Sequence, residues 1–189
     1  GSEDESHYYT VVYKGLDFVT VCGCLFVIIL SKPLAALLFA KDFFAAWQYV
    51  PMLIISAMFS SHAGFLAAAY RASKKTTSLF VSVIVGSALN IFLNYVLLTR
   101  IGVLGAAIAT AISFFGVWFV RIVFIQRIVK VEVKILHTVV TYSALFFSAI
   151  LITLDVQYAQ LMSLVLLLLI LTVNKDTISY FYKVIRQYL

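Results

Sequence analysis

The chain has 189 residues, 63% of them hydrophobic and only 12% charged, against about half and a quarter in soluble globular domains. With a mean hydropathy of +1.06, it holds more apolar surface than one soluble core can hide, so a bilayer is the expected solvent. A net charge of +6 raises nucleic acid as a partner for a soluble protein. No basic stripe interleaved with aromatic residues is present, however, so no nucleic-acid partner is expected.

Taken in chain order, residues 1–15 open with "GSEDESHYY", which is polar, acidic and expected to be loose. Six apolar runs follow, at 16–39, 44–70, 78–99, 103–125, 135–154 and 157–173. Runs of about 18 apolar residues or more are the mark of membrane-crossing helices, and the last run is short for one. In the first run Asp17 is read as standing at the helix start. Cys22 and Cys24 are two positions apart on one helix, so their side chains diverge by about 200° and do not bridge. Pro33 and Pro51 are expected to kink the first and second spans, because each removes a helix hydrogen bond.

Small residues recur every four positions in the next three spans. The second has Ser56, Ser60, Gly64 and Ala68, the third Ser82 and Gly86, and the fourth Gly105, Ala109 and Ser113. Such seams let helix backbones approach closely where lipid removes the usual hydrophobic drive, so three packed helices are predicted. Between the third and fourth spans, Arg100 and Gly102 mark a tight turn. The tail 174–189 places Ile178, Phe181, Tyr182 and Ile185 at helical spacing, with Lys183 and Arg186 opposite, as in a helix lying on the membrane surface.

Six alternating spans put 11 of the 14 Lys and Arg residues on one side, Arg121 at its helix end counted with the loop residues. Short loops rich in Lys and Arg face the cytoplasm, so both termini of the segment are expected there, with acidic lipid as a second contact.

Four residues are candidates for a cavity or substrate path: Asn90, Asn94, His62 and Arg100. Asn90 and Asn94 extend the seam of the third span. They act either as hydrogen-bonding glue between helices or as the lining of a water-filled cavity for a polar substrate. His62 is read on the face opposite the Ser/Gly/Ala seam, beside Met58 and Phe65, and is either a functional intramembrane group or a neutral, bonded core residue. Arg100, in its short outer turn, meets an anionic group or is simply solvated. No P-loop, HExxH or Cys/His quartet is present, and the only nucleophiles close to His62 in sequence, Ser60 and Ser61, lie off its face. No cofactor, metal or catalytic residue is therefore expected, and the chain is read as a non-enzyme.

The stretch from "AKDFF" through "VP" (Val50, Pro51) and "ASKKT" to "NIFLNY" (Asn90, Asn94, Tyr95) and "GVLGAAIAT" (102–110) resembles the C-terminal half of polysaccharide and O-antigen flippases. These belong to the multidrug, oligosaccharidyl-lipid and polysaccharide exporter superfamily. The resemblance covers roughly residues 40 to 125. It implies an all-α integral membrane fold of about six transmembrane helices, matching part of the C-terminal lobe of a two-lobe transporter of twelve to fourteen helices. In that frame the chain holds the ninth to fourteenth helices. A cytoplasmic segment at 1–15 leads into four core spans over 16–129, two additional spans over 130–173 and an interfacial tail at 174–189. The implied function is translocation of a lipid-linked oligosaccharide or polysaccharide precursor across the bacterial inner membrane by alternating access, together with the missing N-terminal lobe. A drug or toxin extruder of the same superfamily is the alternative, and a membrane-embedded transferase a weaker one. The spans carry no Lys or Arg in their central parts, which puts contact between this half and an anionic sugar in question.

Overall fold

The computed structural model describes residues 2–175, 177 and 179. Its elements are α1 (Ser2–Leu38), a 3-10 helix (Lys41–Gln48), α2 (Val50–Ala72), α3 (Thr77–Ile125), α4 (Ile135–Thr153) and α5 (Ala159–Val173). Four of these helices, α1 to α4, are long and apolar enough to cross a membrane; α5 is apolar but shorter. The amphipathic helix expected over Ile178, Phe181, Tyr182 and Ile185 lies outside the described residues.

α1 starts at Ser2, so residues 2–15 are helical where the composition suggests a loose segment. Glu3, Asp4 and Glu5 occupy the first turn, where carboxylates offset the positive end of the helix dipole. This part of α1 is also held from the side. Glu132 N–H donates to Thr10 Oγ1 at 3.1 Å, and Lys14 Nζ lies 3.5 Å from Glu132 Oε2.

The second apolar run does not begin its α-helix at residue 44. Residues 41–48 form the 3-10 helix, and Pro51 falls in the first turn of α2. There the missing N–H is one the helix leaves unbonded in any case, so Pro51 starts α2 and does not kink it.

α3 is 49 residues long, roughly 74 Å if straight, more than twice the hydrocarbon thickness of about 30 Å. It is broken at Ile101 (φ −128°, ψ 17°) and Gly102 (φ 62°, ψ −145°). The turn read at Arg100 and Gly102 is therefore present. Gly102 supplies the positive φ, which L side chains avoid. The arms 77–100 and 103–125 fold back on each other, and each is long enough to cross a bilayer.

The seams of these two arms pack as predicted. Ser82 and Gly86 on the first arm and Gly105, Ala109 and Ser113 on the second are buried. A Cβ on Gly86 would run into Val117, one on Gly116 would stand 2.8 Å from Leu89 Cδ1, and one on Gly105 would overlap the Leu97 carbonyl.

The predicted seam of α2 packs only in its first half, where Ser56 is buried and Ser60 half-buried. Gly64 and Ala68 are exposed, with nothing within 4 Å of a Cβ placed on Gly64. The buried face carries Ile55, Phe59, His62, Leu66 and Tyr70, each at most 0% exposed. These larger groups recur at helical spacing and give α2 more contact area than the small ones. Through this face α2 becomes the central helix, packed against α1, α3 and α4, while α5 closes on α1 and α4. Phe59 is its aromatic centre, with ring centroids 5.2 Å from Phe115 and 5.5 Å from both Trp118 and Tyr142.

Candidate functional site

One end of the bundle, the basic end, carries Arg71, Lys74, Lys75 and the 126–134 segment. The opposite end carries the 3-10 helix, the Gly102 turn and the turn around Asp155. There Lys32 Nζ meets both carboxylate oxygens of Asp155 at 2.8 Å and sits 4.8 Å above the Trp47 ring. These residues border an open cleft of about 550 Å³.

The most concentrated polar chemistry is inside the bundle, where α1, α2 and α4 meet. Because α1 begins at Ser2, Asp17 lies well inside a helix and not at its start. It shares a face with buried Tyr13, Val21, Leu25 and Ile28, spaced at three- and four-residue intervals that align side chains on one helix flank. Its side chain is 14% exposed, and Oδ1 lies 3.5 Å from His62 Nε2. Tyr142 O–H donates to the same carboxylate oxygen at 2.7 Å. Tyr142 is seven residues into α4, about 10 Å from its start.

His62 is fully buried, as its core reading requires. Its Nε2 lies 3.1 Å from Thr20 Oγ1. The Thr20 hydroxyl has its proton committed to the Leu16 carbonyl at 2.7 Å, so its oxygen accepts, and the hydrogen of His62 belongs on Nε2. Nδ1 is buried with no hydrogen-bond partner among the described residues. The ring is wedged between Tyr13, with centroids 5.6 Å apart, and Tyr142, stacked at 6.3 Å. Tyr13 is itself fixed, accepting from Trp118 Nε1 at 2.8 Å. This is not a nucleophile–base–acid relay. In such a relay the acid and the nucleophile hold opposite ring nitrogens, whereas Asp17 and Thr20 share Nε2.

Asp17 also borders a cavity of about 90 Å³ at the basic end, together with Lys14, Glu132, His137 and Asn174. A second, larger cleft of about 1140 Å³ lies between the second arm of α3 and α4; it is open and mostly apolar.

The other sequence candidates are elsewhere. Asn90 and Asn94 are half-buried on the first arm of α3 and bond along their own helix. Asn94 Nδ2 donates to the Asn90 carbonyl at 2.9 Å and to Asn90 Oδ1 at 3.1 Å. Among the described residues these amides make no hydrogen bond to another helix, so the glue role is not seen. Arg100 is exposed at the turn. None of the three clefts is lined by Asn90, Asn94, His62 or Arg100.

Arg121, counted among the basic loop residues by its position at a helix end, points inward. It is 9% exposed, with Nε donating to Ser82 Oγ at 2.9 Å and Nη1 to the Ala63 carbonyl at 2.7 Å. Tyr70 O–H returns a bond to the Arg121 carbonyl at 2.8 Å. One guanidinium thus ties both arms of α3 to α2. Neither Asp17 nor Arg121 stands out by residue type. The available signal was register, since Asp17 continues the Tyr13/Val21/Leu25 stripe.

Comparison with known proteins gave no match to a family model, to a curated protein or to a solved structure.

Proposed function

We propose that this chain is the C-terminal portion of a flippase that moves lipid-linked oligosaccharide or polysaccharide precursors across the bacterial inner membrane, with both ends of the segment cytoplasmic. The observation that carries the reading is the "GVLGAAIAT" element, the most characteristic part of the resemblance. Its residues have specific work in this fold: Gly102 turns the chain and Gly105 lets the two arms touch. The basic end then faces the cytoplasm by the distribution of Lys and Arg. The half-buried Asn90 and Asn94, on the first arm of α3, are the residues offered to a cavity shared with a missing lobe. Exposed Gly64 and Ala68 leave α2 a flank on which another helix can approach closely.

The test is complementation. The gene product containing this segment is expressed in a bacterium lacking its own glycan flippase, and surface glycan is measured. Restored export supports the reading. If export stays absent while cationic dyes are extruded, the substrate class is that of the drug and toxin extruders. Single cysteines at positions 90 and 94, on a background lacking Cys22 and Cys24, are then probed with a membrane-impermeant thiol reagent. Full protection of both in every state removes the cavity role from this arm.

A further inference from the structure

We infer that Asp17 is a proton-binding site, shared by α1, α2 and α4 and facing the cavity at the basic end. This goes beyond the transport reading and does not depend on it.

The argument begins with the charge around the carboxylate. A buried carboxylate is expensive unless it is paired or well hydrogen-bonded. The cation one turn away on α1, Lys14, is turned to Glu132 at 3.5 Å. His62, from α2, stands with Nε2 3.5 Å from Asp17 Oδ1 but donates its hydrogen to Thr20 Oγ1 at 3.1 Å. A second proton on His62 has no acceptor among the described residues, because Nδ1 is buried there without a partner. His62 therefore serves as a fixed neutral donor. From α4, Tyr142 gives one short hydrogen bond, and His137 lies across the cavity. Among the described residues, Tyr13 on α1 and Lys134 beyond Glu132 complete the titratable groups bordering the same space. Among the described residues, no fixed positive charge lies within 4 Å of Asp17.

The carboxylate is thus held by one neutral donor, Tyr142, beside a neutral imidazole on one side, and borders a cavity on the other. Protonation needs no chain rearrangement. Oδ1 keeps the Tyr142 bond, and Oδ2, which holds no hydrogen bond among the described residues, takes the proton. Proton uptake removes one negative charge from the junction of three helices, and with it the charge that strengthens the Tyr142 bond between α1 and α4.

The experiment uses the full 189-residue chain in lipid nanodiscs, with Asp4, Asp42, Asp155 and Asp176 replaced by Asn so that Asp17 is the sole labelled aspartate. Carbon-13 aspartate is incorporated, and the infrared carboxylic-acid band is followed against pH. The band is expected to grow on acidification along a one-proton curve while helical circular dichroism is unchanged. Tyr142→Phe removes a bond that favours the charged form, so its midpoint is expected at a proton concentration about tenfold lower. Asp17→Asn, if it folds, loses the band. A carboxyl group that stays charged, or stays protonated, throughout the range in which the chain is folded overturns the proposal. Coincident midpoints in Tyr142→Phe and the parent also overturn it. Failure of export in the complementation assay leaves these readings untouched, so the two ideas fail separately.

Discussion

Replacing Gly105 by Ala tests the contact on which the α3 hairpin depends. In a helix interior, Gly→Ala gains about 1 kcal/mol of intrinsic helix propensity. At Gly105 that gain meets an obstacle that cannot move aside. The new Cβ would overlap the Leu97 carbonyl and stand 2.9 Å from Leu98 N, and both are backbone. Overpacking against side chains costs about 1–3 kcal/mol, and with no rotamer to relax, the upper end or more is expected. The net loss is about 2 kcal/mol, close to a thirtyfold fall in the folded-to-unfolded ratio. Gly64→Ala is the internal control, because nothing lies within 4 Å of its Cβ; it should gain up to about 1 kcal/mol. Gly116→Ala should fall between the two, since it meets only the movable Leu89 Cδ1 at 2.8 Å. Steric-trap unfolding in bicelles reads all three free energies under native lipid-like conditions. If Gly105→Ala is as stable as Gly64→Ala, the two arms do not touch at this point and the hairpin reasoning is wrong.

Three further outcomes follow from individual contacts. Gly102→Ala keeps open space around its Cβ but forces an L side chain into φ 62° with ψ −145°, so it should cost about 1–3 kcal/mol in the same assay. Ser148 Oγ donates to Ser163 Oγ at 2.6 Å with both residues fully buried. Either single Ala variant should lose about 1 kcal/mol, the double variant little more, and the double-mutant cycle measures the α4–α5 coupling directly. The Lys32–Asp155 pair is exposed at 39% and 57%, so Asp155→Asn should change stability by less than about 1 kcal/mol, an effect that added salt diminishes.

The sequence by itself determined which segments are apolar enough to cross a bilayer, where the chain reverses at Gly102, and which small residues bring the arms of α3 together. These are local properties, since hydropathy over a window, a positive φ that needs Gly, and a four-residue spacing are all visible without a partner. Only the tertiary structure decided which face of a helix turns inward when two faces compete. In α2 the stripe through Phe59 and His62 prevailed over the Ser60/Gly64/Ala68 seam, because larger side chains bring more contact area to the junction with α1, α3 and α4. The same cause hid the polar centre. Asp17, His62 and Tyr142 are separated by 45 and 80 residues in the chain and are unremarkable one at a time. They become a site only because α1 extends back to Ser2, making Asp17 an interior residue, and because α2 and α4 deliver a neutral imidazole and a phenol to the same carboxylate oxygen. Arg121 shows the converse: its position at a helix end reads as a loop charge, until the carbonyl of Ala63 and the hydroxyl of Ser82 draw it into the bundle.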